Sequence, residues 1–499
     1  MFFPKKSSLD LSEKEFKEIG YQLVDSVAHL VNNMSEMALT TNISTEELRD
    51  KLVDYTLLDE GVSAKDLFDK TTQLLINYSL FNGHPKFMGF ITSAPSPIGI
   101  LADFLGSAIN PNVSAQILSP IATEIEKQTI EWISSFIGLN INYGGLLVSG
   151  GNMANFTGFL AARTAKIPKD FKEKGFSGLK SKLIVYCSKA THTWIEKAVV
   201  LFGHGLNSVR WIPTNTDNRI DEERLENAIK QDLKDNNSPF MVVGTAGDVS
   251  TGAVDNLDAL AELCKKYNLW FHIDGAYGAP AAALPELNET FAGITQADSI
   301  ALDPHKWLYA PLEAGCILVK NPEHLTNTFS SRPEYYKFDG FSPELAHNFY
   351  EYGMQNSRGF RALKVWLMLQ HSGKNGILKA IRKDIQLSKL FFDLAIEHPN
   401  LEALTQNLSI TTLRYVPTHD NNKNKWSNLN YLNSLNEQLL GRLQKSGELF
   451  LSNAIVKKKF CLRACIVNFK TSKKDIEECI DIIVKTGEQI HFEMSSEYI

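Results

Sequence analysis

The chain has 499 residues, 43% hydrophobic and 22% charged, enough to bury a large core and to hold more than one subdomain. Its net charge of -6 gives no reason to expect nucleic acid or an acidic membrane as partner, no run of about 18 apolar residues offers a bilayer span, and Met1-Phe-Phe-Pro-Lys-Lys6 does not lead into the apolar stretch of a signal peptide. The six cysteines (Cys187, Cys264, Cys316, Cys461, Cys465 and Cys479) lack metal-ligand spacing, so the simplest expectation is a cytoplasmic protein with reduced thiols.

Residues 1–85 read as a helical N-terminal segment. Leu9, Phe16, Ile19, Leu23, Val27 and Leu30 recur mostly at three- and four-residue steps, and Ser44 is placed to cap a second helix at Thr45. An apolar stripe without strands to cover predicts packing against another subunit or across the main domain. From 86 to 375, short apolar runs alternate with helical segments. The runs are 145–149, 182–187, 208–212, 240–244, 269–274, 299–303 and 316–320, with helices such as 221–233 and 257–267 between most of them. This alternation predicts an α/β domain built on a mostly parallel seven-stranded sheet, with ligands at the carboxyl ends of strands. A long helix over about 357–370 leads to a small α+β domain, 376–499, with strands at 410–415 and 460–468. A last helix opens at Thr471 or Ser472 and runs to Lys485.

Two strand ends carry the chemistry. In His272-Ile-Asp-Gly-Ala-Tyr277 an apolar run ends in a carboxylate, Asp274, and in Leu302-Asp-Pro-His-Lys-Trp307 another apolar run leads to an amine, Lys306. A strand-end acid is more often a turn residue, and a lysine after a strand is usually solvated. Together, on neighbouring parallel strands, they are what pyridoxal 5'-phosphate (PLP) chemistry needs: an amine to form a Schiff base and an acid to keep the ring nitrogen protonated. The apolar setting of Lys306 predicts desolvation and a lowered pKa. Gly150-Gly151-Asn152 ends another strand and opens a helix, a common turn that also presents amides to phosphate. His192, at a further strand end, is either a hydrogen-bonded structural residue or a flat ring stacked on the cofactor.

These motifs resemble the group II PLP-dependent amino-acid decarboxylases, a family that includes aromatic-L-amino-acid, glutamate, histidine and diaminobutyrate decarboxylases. Similarity extends through His84-Pro85, Ser119–Glu126, Thr191-His192, Thr251–Asp255 and Ser357–Lys364, covering about residues 10–490. The resemblance implies fold type I of the PLP enzymes and a homodimer with active sites at the subunit interface. It implies Lys306 as the Schiff-base lysine, Asp274 on the pyridine nitrogen, and His192 and Ala276 on the two ring faces. Gly151, Asn152 and His305 fall near the phosphate, with Asp303 beside them. A quinonoid intermediate would be protonated at the α-carbon by Tyr335, with Tyr336 a near competitor.

The substrate pocket implied by the resemblance takes Phe90 and Ile91 as an apolar wall. Asn112 and Ser114 come from the partner subunit and are more polar than in aromatic decarboxylases. Leu312 stands where an aromatic is common, and Ser357 precedes Arg358 where plant aromatic enzymes carry Ser or Gly. Asp248 and Val249 replace threonines common near the cofactor. An aromatic L-amino acid is the favoured substrate. The alternatives are a glutamate, aspartate, histidine or diaminobutyrate type of substrate, or a PLP-dependent aldehyde synthase.

Overall fold

The structure is a computed structural model that describes residues 9–52, 56–140, 143–331, 347–417 and 428–496. Helices α1 (Glu13–Asn33), α2 (Thr45–Lys51) and α3 (Ala64–Tyr78) open it. Ser12 and Ser44 cap the first two, and Glu15 and Glu47 return the hydrogen bond to the cap's own amide. None of these three helices buries a residue within the chain, so their apolar stripes have no core of their own.

Seven strands follow: β1 (Gly144–Val148), β2 (Leu183–Ser188), β3 (Val209–Ile212), β4 (Ser238–Thr245), β5 (Trp270–Asp274), β6 (Ser299–Leu302) and β7 (Gly315–Val319). They form one sheet in the order β1-β7-β6-β5-β4-β2-β3. All neighbours are parallel except β7, which runs antiparallel to both β1 and β6. Every residue of β2, β5, β6 and β7 is buried, which explains why they read as apolar runs rather than as alternation. Helices α4 (Pro97–Ile109) and α5 (Pro120–Phe136) precede β1 in the chain, and α6 (Gly151–Lys166), α7 (Trp194–Leu201), α8 (Glu222–Lys234) and α9 (Leu257–Tyr267) lie among the strands. Of these, α6 packs across β1, β4, β5, β6 and β7.

Helix α10 (Arg361–Glu397) is interrupted at Gly373, whose φ of 62° and ψ of 166° suit glycine alone. Beyond the break it passes from one core to another: Ile377 and Ile381 pack with the large sheet, Leu387, Phe391 and Ala395 with a second cluster. That second cluster lies with β8 (Leu401–Asn407), β9 (Ile410–Tyr415), β10 (Ser452–Val456) and β11 (Lys459–Cys465), an antiparallel sheet ordered β10-β11-β9-β8. Helices α11 (Leu429–Ser446) and α12 (Lys473–Ser496) complete this region. Residues 86–90 run beside it. Met88 N donates to Phe450 O (2.9 Å), Cys465 N donates to Met88 O (2.8 Å), and Phe90 N donates to Ser452 Oγ (2.6 Å).

The seven strands of the large sheet stand where the apolar runs predict them, and α9 has the predicted bounds. The helix expected over 357–370 instead begins at Arg361 and continues past Gly373, and the last helix runs beyond Lys485 to Ser496. Strands β8 and β10 are additional to the sequence pattern.

Candidate active site

Because β7 is antiparallel to both neighbours, β1 has the same direction as β6. The carboxyl ends of β1, β2, β4, β5 and β6 therefore share one edge of the sheet, the edge where such sheets take ligands. A cavity of about 620 Å³ opens there. Its walls include Phe90, Ile91, Gly151, Asn152, His192, Asp274, Ala276, Asp303, His305, Lys306 and Leu312, along with Asp248 and Val249.

Lys306 Nζ lies 2.8 Å from Asp303 Oδ2. Burial presses the Lys306 ammonium towards a lower pKa, but the charges of Asp303 and Asp274 outweigh it, so the group stands above its ordinary value. This corrects the sequence-based expectation of a lowered pKa, which counted desolvation and left out the carboxylate three residues upstream. The other Asp303 oxygen, Oδ1, is buried with no hydrogen-bond partner among the described residues. The His305 ring is pinned by Ala314, its Nδ1 2.7 Å from the carbonyl oxygen and 3.1 Å from the amide nitrogen. Burial lowers the pKa of His305 and likewise that of His192, although His192 remains open to the cavity mouth.

Asp274 is held by two donors, Trp194 Nε1 to Oδ2 (2.8 Å) and Ala276 N to Oδ1 (3.2 Å). Trp194 packs edge-on against His272, whose ring nitrogens each lie 2.7 Å from a partner, Ser299 Oγ and Asn155 Oδ1. Burial pulls His272 down to about 4, so this support is uncharged near neutral pH. Opposite, Gly150 has a φ of 142° and caps α6 without a side chain, leaving the first-turn amides uncapped by any side chain. A Cβ on Gly151 would stand 2.7 Å from Asp303 Oδ2 and 3.3 Å from Ala276 Cβ. A glycine-lined crevice with uncapped helix amides suits a phosphate, and an oriented carboxylate across the cavity suits a protonated ring nitrogen. The residues present thus fit PLP.

Three predicted pocket residues stand apart from this cavity within the chain. Asn112 is exposed, and its Oδ1 accepts from Arg358 N at 3.0 Å. Ser114 is buried, its carbonyl accepting from Tyr350 N at 3.1 Å, and Ser357 is exposed. Tyr335 and Tyr336 lie outside the described residues. Asp248 organises its own loop, accepting from the amides of Ser250 (2.7 Å), Thr251 (3.0 Å) and Ala253 (3.0 Å). Sequence reasoning missed Trp194, Asn155 and above all Arg463. This β11 arginine is 2% exposed and lines the cavity. One guanidinium nitrogen donates to Val249 O, while Nε has no partner among the described residues.

A seven-stranded α/β sheet with a lysine, two carboxylates and a phosphate crevice at one edge defines a fold type I PLP enzyme. The family model "Pyridoxal-dependent decarboxylase conserved domain" matches residues 46–413, and "PDXDC1-like second central domain" matches 391–496. The chain is 34% identical over 479 residues to an aromatic-L-amino-acid decarboxylase of Bacillus atrophaeus, covering 96% of each protein. It is 28% identical to a phenylacetaldehyde synthase of Petunia hybrida, over 93% of this chain and 92% of that one. The Oryza sativa TDC solved with PLP and tryptamine superposes with a TM-score of 0.89 at 25% identity, covering 98% of this chain and all of the other. This chain belongs to the pyridoxal-dependent decarboxylase family and is a PLP-dependent enzyme.

Proposed function

We propose that this enzyme decarboxylates an L-amino acid, preferentially an aromatic one, to the corresponding amine and CO2. The carrying observation is the meeting in one cavity of Lys306, Asp303 and Asp274 beside an apolar wall of Phe90, Ile91 and Leu312. The name of the Bacillus atrophaeus relative points the same way.

Lys306 would hold PLP covalently through Nζ. The first amides of α6, at Gly151 and Asn152, would receive the phosphate with His305 close by. Asp274, aimed by Trp194, would keep a proton on the ring nitrogen, and Ala276 and His192 would pack against the ring. When bound, PLP supplies an electron sink for the pair left on the α-carbon as CO2 departs. The protein's share is orientation and electrostatics. Arg463, a buried cation whose Nε has no partner among the described residues, draws the substrate carboxylate into the cavity. Tyr335, with Tyr336 the competitor, returns the proton to the α-carbon. The protein works as a cytoplasmic homodimer in which the Asn110–Ser114 segment of one copy completes the other's pocket, and Ser357 stands close to that segment through Arg358.

Aldehyde formation is the second reading, because relatives 28% and 27% identical carry the name phenylacetaldehyde synthase. One experiment separates the two. Purified PLP-loaded protein is offered the standard amino acids plus DOPA, 5-hydroxytryptophan and 2,4-diaminobutyrate, with CO2, amine, aldehyde and ammonia recorded separately. Amine plus CO2 from aromatic substrates supports the proposal. Aldehyde with ammonia replaces it with the second reading, and amine from an acidic or basic side chain overturns the substrate class.

A further inference from the structure

Asp384 lies on α10 between the two cores, with none of its surface exposed. Its Oδ2 accepts from Trp307 Nε1 (3.0 Å) and from Tyr309 Oη (2.7 Å), while Oδ1 has no partner among the described residues. Trp307 immediately follows Lys306 and Tyr309 comes two residues later, so one carboxylate grips the lysine loop at two points. Both aromatic side chains are buried, and each would leave an orphaned donor if the acceptor were lost.

The loop itself is not in a relaxed conformation. Tyr309 has a φ of 54°, in the left-handed region that a non-glycine residue enters only at an energetic cost. Its backbone is tied on both sides, Tyr309 N donating to Lys306 O (3.2 Å) and Ser96 N donating to Tyr309 O (2.8 Å). Trp307 is fixed on its face as well as its edge. It stacks on Tyr277 at 4.8 Å between ring centroids, and Tyr277 lines the cofactor cavity.

We propose that Asp384 is a positioning residue for the reaction: by accepting from Trp307 and Tyr309 it holds the lysine loop in the shape that presents Lys306 Nζ to the cofactor. The inference rests on the Lys306 reading above. Asp384 is not among the residues that line the cavity and acts only through its two aromatic donors. An acceptor oxygen is what the geometry requires there. Burial raises the Asp384 carboxyl to about 7, with Tyr309, Trp307, Lys383 and the Asn468 backbone acting to lower it and Tyr277 and Cys465 also near enough to feel its charge.

The test compares Asp384→Leu, Asp384→Asn and Tyr309→Phe as holoenzymes, reading kcat, KM and the visible circular dichroism of the bound cofactor. Unfolding midpoints of the cofactor-free proteins report separately on folding. Asp384→Leu and Tyr309→Phe are expected to lower kcat at least about tenfold with little change in KM, the order expected for sub-ångström displacement of a reacting group. Both should also weaken the visible dichroic band. Asp384→Asn keeps an acceptor oxygen and should restore kcat and band close to the parent. If Asp384→Leu does not fold, Tyr309→Phe decides: unchanged kcat and dichroism in that variant overturn the proposal. Loss of kcat in Asp384→Asn equal to that in Asp384→Leu also overturns it, since charge rather than an acceptor would then be at work. Lys306→Ala serves as the control. If it keeps a covalent chromophore, the lysine assignment falls and this inference with it; if it loses the chromophore while the Asp384 and Tyr309 variants stay normal, only this inference falls.

Discussion

Asp303 and Asp274 more than offset the desolvation of the Lys306 ammonium and favour its charged form. Lys306→Ala should abolish turnover and remove the covalent visible absorbance, read by spectroscopy after denaturation and gel filtration. Arg463→Met keeps the length and apolar body of the side chain while deleting the cation, and should raise KM for the amino acid at least about tenfold if a charge-assisted bond of about 1.5–3 kcal/mol is lost. Asp384 makes a pH prediction. Its folded pKa of about 7 lies above the unfolded value of about 3.9, so between those values the folded protein binds the extra proton. Its contribution to stability is therefore most favourable at low pH and declines as pH rises through that window. Asp384→Asn removes the titration, so its unfolding midpoint relative to the parent should rise from pH 5 to pH 8; a flat difference would mean that the carboxyl titrates normally.

At the scale of elements, two glycines make opposite predictions. Gly373 breaks α10 with a positive φ and open space around its missing side chain, so Gly373→Ala should cost about 1–3 kcal/mol of stability and leave turnover intact. Gly151 sits in the crevice proposed to take the phosphate, where an added methyl meets the Asp303 carboxylate. Gly151→Ala should weaken PLP retention, measured by dialysis against buffer, more than it lowers the unfolding midpoint. The same scale shows what the sequence made legible. Strands buried on both faces stand out as apolar runs, and Asp274 and Lys306 were readable because each ends such a run. Strand β8, Leu-Glu-Ala-Leu-Thr-Gln-Asn, is mostly half-buried and mixes apolar with polar residues on both faces, so it lacked that signal. Arg463 and Asp384 were hidden for a different reason. Each reaches the site by tertiary packing from more than 75 positions away, and Asp384 sits in Ile381-Arg-Lys-Asp-Ile385, which reads as a solvated helix face.

Across the whole molecule, one buried ion pair joins distant segments. Arg358 binds Glu126 of α5 through both terminal nitrogens and also donates to Val113 O (2.8 Å) and Leu147 O (2.6 Å), while its amide holds Asn112. Arg358→Met would leave Glu126 as an uncompensated buried charge, which should lower stability by about 3–5 kcal/mol in denaturant unfolding. The cavity wall has a comparable long-range dependence. Phe90 is anchored by Ser452, 362 positions further along, and the strand-like stretch leading to it is clasped by Phe450 and Cys465. On the ribosome, the residues proposed to face the substrate are made early but acquire their supports only when Phe450, Ser452 and Cys465 emerge, about 360 positions later. A nascent polypeptide can assemble much of the large sheet before then, yet this wall of the cavity stays unbraced until strands β10 and β11 are made.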